Sequence, residues 1–352
     1  MIEIDGSAGE GGGQILRTSL ALAAVMKKEV RIFNIRAGRQ EPGLRAQHLT
    51  VVRALAQICN ADSRGAQIGS TEFTFSPTGL RTGVFRFDVG TAGSITLVLQ
   101  SLLPVLPFAS SELEVDITGG TDVKWSPPID YLRLVALPLL ARMRVNVSVR
   151  EIIRGHYPRG GGLVSVRSTP TGILTSLTGR ERGNIVNIGG TSHVSNLPKH
   201  IAERQAESAA NEIRNARLPL PEILIDMGNE NRNQSAGSGI SLVAQSDTEA
   251  LLGADCLGER GKPAEEVGRL AGRQLVEEIS SGNFLDRHMG DIIVPYMALA
   301  QGVSDVSISR MTQHTITNVR VSEAVAGVRF DPLTSLDLPG RLRVSGIGWK
   351  QA

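Results

Sequence analysis

A glycine-rich segment near the N-terminus has residue types that can bind phosphate. Residues 9–14 read Gly-Glu-Gly-Gly-Gly-Gln and precede an apolar stretch with helical spacing. Backbone N–H groups at a helix start can bind an anion, and Glu10 could hold a divalent cation that screens a polyphosphate. The segment lacks the Gly-Lys-Ser/Thr ending of a P-loop, and Gln14 replaces the last glycine of a dinucleotide fingerprint. Tight packing of a strand-to-helix turn explains these glycines equally well.

Four arginines lie close to this segment, around two predicted helix starts. One planar guanidinium group can donate two parallel hydrogen bonds to two phosphate oxygens. A single arginine is more simply explained as part of a solvated basic face, but four near one glycine-rich turn favour phosphate binding. The four are Arg17, Arg36, Arg39 and Arg45.

Two glutamines add candidate polar contacts. Gln47 lies on the helix that follows the second strand, next to His48, and Gln100 interrupts an otherwise apolar helix. A glutamine in such a helix usually makes hydrogen bonds within the core. The place of Gln100 corresponds to that of Arg17 in the preceding unit, so both could face one pocket.

Six histidines are candidate nucleophiles, although a lone histidine more often has a surface or structural role. His314 has the strongest local case, because it lies in the polar segment 312–318 after a predicted strand. A neutral imidazole nitrogen can attack phosphorus when a metal ion and arginines offset the phosphate charge. Composition alone does not choose among the six: His48, His156, His193, His200, His288 and His314.

The elements that must position these residues form a repeated pattern. Apolar alternation and glycine punctuation predict a βαβα-type unit three times, over residues 2–58, 85–143 and 289–326. If the units pack around a common axis, equivalent loops would converge. Those loops hold Arg36 and Arg39, Thr121 and Asp122, and His314.

The pattern changes between residues 182 and 281. This stretch predicts a β-α-β-β-α order and contains no catalytic-looking group. We therefore predict an α/β (α+β) fold with a large domain of three repeated units, residues 1–181 plus 282–352, and a smaller inserted domain, residues 182–281. The predicted inserted elements are strands 184–188, 222–227 and 240–245 and helices 198–216 and 263–281.

Composition excludes several classes of protein. The 352 residues have 37 basic and 35 acidic side chains, so bulk charge does not suit coating of long nucleic acids. Two distant cysteines form neither a disulfide framework nor a metal motif. The longest apolar stretch, residues 95–108, contains prolines and is too short to span a bilayer. With no secretory signal pattern at the start, we expect a soluble cytoplasmic protein.

Residues 154–164, Arg-Gly-His-Tyr-Pro-Arg-Gly-Gly-Gly-Leu-Val, resemble the signature of RNA 3'-terminal phosphate cyclases. The signature is a basic residue, glycine, two variable positions, proline, one variable position and three glycines. The resemblance extends over nearly the whole chain and is least clear in residues 182–281. Further blocks in the same order are residues 5–17, 35–39, 42–44, 47–49 and 119–122.

The resemblance implies an ATP-dependent reaction on RNA with a 3'-phosphate end. The active histidine of the family falls on His314, which would attack ATP, release pyrophosphate and carry AMP. AMP would pass to the RNA 3'-phosphate, and the neighbouring 2'-hydroxyl would then close a 2',3'-cyclic phosphate and release AMP. Glu10 would hold Mg²⁺ or Mn²⁺. Arg36, Arg39 and Gln47 would contact substrate phosphates.

The resemblance also implies an adenylate pocket, and here the chain departs from the family pattern. Ile292 stands where the family usually has glutamine, which removes one hydrogen bond to the nucleotide. His288 stands where an aromatic residue often stacks on adenine. The implied pocket consists of Arg17, Gln100, His288, Met289, Gly290, Asp291 and Ile292.

Two other functions compete with an active cyclase. A non-catalytic cyclase-like ribosome-assembly factor would lack the histidine, so His314 argues against it. An enolpyruvyl transferase resembles this kind of fold, but it is usually a longer chain of six repeats. The resemblance implies no stable protein partner.

Overall fold

The computed structural model describes residues 1–90, 92–228 and 235–350. Within them the chain forms four small sheets, each combining parallel and antiparallel pairs, with helices packed against the sheets. The predicted mixed α and β class is confirmed.

The first sheet includes an antiparallel pair that the βαβα prediction omits. The two strands of this pair are three and four residues long, and only Phe73 and Phe75 of the longer strand are buried. Strands this short give no clear hydrophobic period. Its first two strands pair in parallel, and the last strand pairs antiparallel with the second and third. The elements are β1 (Ile2–Asp5), α1 (Gly13–Met26), β2 (Val30–Phe33), α2 (Ala46–Ile58), β3 (Asp62–Arg64) and β4 (Phe73–Ser76).

The second sheet repeats this order of pairing. For this part of the chain the sequence also predicts helices over residues 94–106 and 128–143. The first helix is shorter than predicted, because Pro104 has no N–H to continue the α-helical ladder. A π-helical turn, Leu132–Ala136, divides the predicted helix 128–143. The elements are β5 (Gly83–Asp88), α3 (Ile95–Leu102), β6 (Leu113–Gly119), α4 (Ile129–Tyr131), α5 (Leu137–Arg142), β7 (Asn146–Ile153) and β8 (Gly162–Thr169).

The third group of elements has its own sheet and its own buried apolar cluster. After the short β9 (Thr178–Gly179), the chain forms a four-stranded sheet on which two helices pack. The prediction lacked β13, because Gly253 and the absence of β-branched residues give that strand a weak signal. The sequence also predicts a polar segment over residues 228–239, of which residues 229–234 lie outside the described part. The elements are β10 (Ile185–Ser195), α6 (Lys199–Asn215), β11 (Glu222–Asp226), β12 (Gly237–Ser246), β13 (Leu251–Leu257) and α7 (Ala264–Ser280).

The C-terminal elements complete a sheet begun by β9. They are α8 (Arg287–Leu299), β14 (Gln301–Ile308), α9 (Gln313–Ala326) and β15 (Gly340–Ile347), and β14 pairs in parallel with β9 and antiparallel with β15. The sequence predicts a loop that ends at His314. This predicted end is wrong, because α9 begins at Gln313. The Thr312 hydroxyl accepts a hydrogen bond from the Thr315 N–H at 3.0 Å and caps this helix.

Helix α1 lies at the centre of the packing. Its residues 15–26 are all buried, and it contacts α2, α3 and α9. A helix that is buried on every side belongs to the core of a protein. None of the helices in the described ranges is both long and apolar enough to cross a membrane. The start of α1 is therefore a rigid base for the residues that precede it.

We predict that Leu20→Ala in α1 lowers the free energy of unfolding by about 2–5 kcal/mol, because it removes buried methyl groups and leaves a cavity. Leu20 is 0% exposed. Urea unfolding followed by circular dichroism measures the change. The matched control is Leu220→Ala, because Leu220 is 65% exposed. Equal losses in the two variants would contradict the central position of α1.

Candidate active site

A cleft of about 860 Å³ lies where the first turns of α1, α2, α8 and α9 meet one side of α3. Small-molecule sites are typically about 300–1,000 Å³, so the cleft is large enough for a nucleotide. It brings together most of the predicted site residues. Those on its wall are Glu10, Arg17, Arg36, Arg39, Gln47, Gln100, His288, Asp291, Ile292 and His314.

His314 and Glu10 are in contact within this cleft. The His314 Nδ1 atom lies 3.3 Å from Glu10 Oε1, although the two residues come from opposite ends of the chain. Glu10 belongs to the loop between β1 and α1, and His314 to the first turn of α9. Both side chains are partly exposed, at 23% and 42%. The imidazole is therefore in contact with a carboxylate, without a hydrogen bond at Nδ1 to any described residue, and its side chain is still partly accessible to a ligand.

The two groups change each other's acidity. Contact with Glu10 raises the pKa of His314, and the charge of Asp291 adds to this effect against the opposing effect of burial. Burial would raise the pKa of Glu10, but His314 together with Arg39 and Arg17 outweighs burial and lowers it. Glu10 is consequently ionised at neutral pH, and the His314 proton is retained to a higher pH than in a free imidazole.

Arg17 places a buried positive charge at the cleft. It is 7% exposed, and its Nη2 atom donates to Gln14 Oε1 at 2.6 Å. Burial lowers the pKa of its guanidinium to about 10, so it remains charged at neutral pH. Its Nε atom has no hydrogen-bond partner, and no carboxylate pairs with it, among the described residues. A buried guanidinium with spare donors is suited to an anionic ligand.

Arg36 and Arg39 extend the positive surface. Arg36 Nη1 donates to the carbonyl oxygens of Glu41 at 2.7 Å and Gly43 at 3.1 Å, and Arg39 Nη2 donates to the Glu10 carbonyl at 3.2 Å. Burial and the charges of neighbouring arginines lower the pKa of Arg36. These side chains are fixed by backbone carbonyls, so their charge is not neutralised by a carboxylate and can bind phosphate.

The glycine-rich segment allows the side chains of this wall to approach the backbone closely. A Cβ atom on Gly12 would lie 2.2 Å from Glu10 Oε1, and one on Gly13 would lie 2.6 Å from His48 Nε2. Helix α1 begins here without a side-chain cap and without an acidic residue in its first turn. Its free N–H groups therefore contribute positive potential to the cleft.

Asp291 connects α8 to the start of α9. Its Oδ1 atom accepts hydrogen bonds from the hydroxyls of Thr312 and Thr315, the latter at 2.6 Å. Its backbone carbonyl accepts from Asn318 Nδ2 at 2.7 Å, and Asn318 Oδ1 accepts from Thr18 at 2.6 Å. Burial raises the pKa of the Asp291 carboxyl. This network fixes the first turn of α9, and with it the direction of His314.

Three further predicted residues occupy the other walls. Gln47 Oε1 accepts from the Ser94 N–H at 3.1 Å, so this side chain connects α2 to the start of α3. Gln100 faces the cleft from α3. His288 is exposed and lies edge-on to Tyr131, with ring centroids 5.7 Å apart.

Comparison with known proteins identifies the family. The profile described as RNA 3'-terminal phosphate cyclase matches residues 8–331. The chain is 48% identical over 358 residues to the RNA 3'-terminal phosphate cyclase of Ignicoccus hospitalis, across 100% of both chains. It is 49% identical over 357 residues to that of Hyperthermus butylicus, across 99% of both. It is 45% identical to that of Pyrococcus furiosus, across 99% and 100%.

The chain belongs to the RNA 3'-terminal phosphate cyclase family. The family and the enzyme class predicted from the sequence are therefore confirmed. A likeness to the enolpyruvyl transferase NikO from Streptomyces tendae has a TM-score of 0.41 at 12% identity. The match covers 98% of this chain and 48% of the NikO chain, so this chain spans about half the length of NikO.

Two residues that the cyclase family resemblance assigned to the nucleotide pocket do not reach the cleft. Met289 is 0% exposed, and its N–H donates to Asp286 Oδ1 at 2.8 Å. Gly290 packs against Ile308, since a Cβ atom there would lie 3.2 Å from that side chain. Only one face of α8 can point into the cleft, so successive residues cannot all line it.

The sequence did not predict several residues that line the cleft of this cyclase family member. Trp125 is 93% exposed and lies on the cleft wall beside Lys124. A tryptophan between lysine and a Ser-Pro-Pro turn is a signal that could have found it. Asp255 carried no such signal because it lies in the unpredicted β13. Burial raises the pKa of its carboxyl to about 6.

We predict that Glu10→Gln lowers the pKa of His314, because the neutral amide removes the negative charge that favours the imidazolium. The pKa of His314 is measured by NMR titration of its imidazole. Glu265→Gln is the control, because Glu265 pairs with Arg204 on the surface. An unchanged His314 titration in Glu10→Gln would show that the contact is not electrostatically significant.

Proposed function

We propose that this protein uses ATP to convert the 3'-terminal phosphate of RNA to a 2',3'-cyclic phosphate, with His314 as the residue that carries AMP. The observation that carries the proposal is the contact between His314 and Glu10 in a cleft bordered by Arg17, Arg36 and Arg39. The same contact argues against a non-catalytic assembly factor, because such a protein has no need for an accessible, oriented imidazole.

The first step is the transfer of AMP to His314. The neutral imidazole keeps its proton on Nδ1, the nitrogen that faces the Glu10 carboxylate, which leaves the lone pair on Nε2 to attack the α-phosphorus of ATP. An N–P bond forms, the bond to the bridging oxygen breaks, and pyrophosphate leaves. The arginines stabilise the negative charge that develops on the phosphate oxygens. Since protonated imidazole cannot attack, this step slows as pH falls through the raised pKa of His314.

The second and third steps complete the cyclisation. An oxygen of the RNA 3'-phosphate attacks the phosphorus of the histidine-bound AMP, the N–P bond breaks, and an anhydride of RNA and AMP forms. The adjacent ribose 2'-hydroxyl loses its proton and attacks the RNA phosphorus. AMP leaves, and the 2',3'-cyclic phosphate remains. Because the closing nucleophile is a 2'-hydroxyl, DNA ends cannot undergo the last step.

Glu10 is also the group we propose to hold a divalent cation. One of its oxygens contacts His314 and the carboxylate is ionised, so its other oxygen suits Mg²⁺ or Mn²⁺ together with phosphate oxygens. When bound, such an ion would screen the charge of the triphosphate. Arg36, Arg39 and Gln47 remain our proposed contacts to substrate phosphates.

For the nucleotide we propose the wall formed by Arg17, Gln100, His288 and Ile292. His288 is exposed and offers a flat ring for adenine, while Ile292 provides an apolar surface in place of the family's glutamine. The carboxylate of Asp291 already accepts two threonine hydroxyls. We therefore assign Asp291 to positioning α9 more than to direct contact with the nucleotide.

The exposed Trp125 is our candidate for contact with the RNA. An aromatic ring that is 93% exposed gains stability by stacking on a nucleobase, and the adjacent Lys124 can approach the RNA backbone. Its place on the cleft wall suits the nucleotides next to the reacting end.

We propose that the large domain consists of three repeated units, with residues 182–281 as a small domain inserted between the second and third units. Supporting this are the shared strand orders β1-β2-β4-β3 and β5-β6-β8-β7, and the parallel pairing of β9 with β14 across the intervening elements. The large domain would then comprise residues 1–181 plus 282–352. Each repeat contains an antiparallel addition that the βαβα description did not include.

We predict that His314→Ala abolishes covalent labelling of the protein by ATP carrying ³²P in its α-phosphate, because His314 is the nucleophile that contacts Glu10 in the cleft. The label is measured as acid-labile, base-stable radioactivity on the chain. The matched control is His200→Ala, because His200 is exposed and lies outside the cleft. Equal labelling of both variants would contradict the assignment of the nucleophile.

We predict that Trp125→Ala raises the KM for an oligoribonucleotide 3'-phosphate by about five- to 150-fold, because stacking contributes about 1–3 kcal/mol per base. The assay measures conversion of the RNA end to a phosphatase-resistant form. Trp125→Phe keeps a stacking ring and should restore most of the affinity. If the alanine variant has the wild-type KM, Trp125 does not contact the RNA.

A further inference from the structure

A second group of potential ligand atoms is buried away from the cleft. Asp122, His156 and His193 are 3%, 4% and 0% exposed. One ligand atom from each lies within 4.8 Å of the others. The two imidazole rings stack with centroids 5.4 Å apart. Asp122 follows β6, His156 follows β7, and His193 lies in β10, so three separate elements contribute to the group.

Four polar atoms of this group lack hydrogen-bond partners in the described part of the chain. Asp122 Oδ1, His156 Nε2 and both ring nitrogens of His193 have no hydrogen-bond partner within residues 1–90, 92–228 and 235–350. His193 Nε2 lies 3.9 Å from Asp122 Oδ2, which is too far for a hydrogen bond. Buried polar atoms in native proteins almost always have a partner. Several unpartnered atoms in one small buried group therefore indicate a shared ligand.

The surrounding contacts orient the carboxylate as metal ligands are oriented. Asp122 Oδ2 accepts from Thr121 Oγ1 at 2.6 Å and from Arg154 Nη1 at 3.2 Å, which leaves Oδ1 directed elsewhere. Outer contacts of this kind fix the first ligands of a metal ion in position.

The charge of the group permits a cation. Arg154 pairs with Asp130 at 2.7 Å and with Asp226 at 2.8 Å as well as with Asp122, and Arg133 pairs with Asp130. Three carboxylates and two guanidinium groups carry one net negative charge. Both imidazoles are buried and have ring nitrogens without hydrogen-bond partners among the described residues, so they can offer nitrogen ligands.

Two glycines of β12 leave space for the imidazoles. A Cβ atom on Gly237 would lie 2.2 Å from His156 Cγ, and one on Gly239 would lie 2.9 Å from His193 Cε1. Any side chain at these positions would collide with the rings. The two histidines are thus packed against bare backbone.

We propose that Asp122, His156 and His193 bind one divalent transition-metal ion, most suitably Zn²⁺, which joins β10 to the loops after β6 and β7. Two imidazole nitrogens and one carboxylate oxygen suit Zn²⁺ or Co²⁺, whereas Mg²⁺ prefers oxygen ligands. Because the group is buried and belongs to both sheets, the ion is structural. It is separate from the cation proposed at Glu10.

The test is equilibrium dialysis of the chelator-treated protein against Co²⁺, followed by visible absorption of the bound ion. Wild type should take up about one equivalent with the absorption of a site containing imidazole ligands. His193→Gln and His156→Gln should lose that band. His200→Gln, an exposed histidine, and Glu10→Gln should keep it. Zn²⁺ should raise the Tm of wild type and leave that of His193→Gln unchanged.

Two outcomes would overturn the proposal. One is a folded wild-type protein that takes up no Co²⁺ with this band, which would mean that the buried atoms share only protons or water. The other is a band that disappears in Glu10→Gln and persists in His193→Gln, which would place the ion in the cleft. If circular dichroism shows that His193→Gln is unfolded, Asp122→Asn replaces it as the diagnostic variant.

Discussion

The contact between Glu10 and His314 is the constraint on which the arrangement of the cleft depends. A carboxylate and an imidazole 3.3 Å apart affect each other's protonation only while both are held in place and partly shielded from water. Glu10 is held by the turn into α1, and His314 by the first turn of α9. The central, fully buried α1 and its contact with α9 therefore determine the distance between the two groups.

A polar network inside an apolar helix interface determines the register of that contact. Gln14 and Thr18 of α1 meet Asn318 of α9, and Asn318 in turn reaches the backbone of Asp291 in α8. Apolar side chains alone would tolerate small shifts between helices, whereas buried hydrogen bonds are lost when the helices slide. The network thus specifies one arrangement of the three helices. This arrangement determines the direction in which the His314 imidazole points.

Charge is distributed differently at the cleft and at the buried group. Arg17, Arg36 and Arg39 donate to amide and carbonyl oxygens, so the cleft keeps a positive surface for a polyanion. Around Arg154 the carboxylates outnumber the guanidinium groups, and neutral imidazoles lie beside them. The cleft is therefore suited to phosphate and the buried group to a cation, although both are built from similar residue types.

Local sequence information was sufficient for much of the fold and for the family. The periods of α1, α2 and α7 and the glycine-rich turns predicted these elements, and the signature at residues 154–164 indicated the family that comparison confirmed. Short strands such as β3, and strands without β-branched residues such as β13, gave too little periodic signal. The cleft residues Glu10, Arg17 and His314 were named from motifs, but their proximity could not be read from spacing alone.

What only the tertiary structure decided is which groups meet. Contacts such as Glu10 with His314, or Asp122 with His156 and His193, join elements far apart in the chain, and no local period encodes them. Burial likewise depends on packing. The packing of distant segments buries Met289 away from the cleft and leaves Trp125 exposed on the cleft wall. The sequence determined the chemistry that each residue can perform, while packing of distant segments determined which residues can act together, because both distance and dielectric environment are properties of the assembled core.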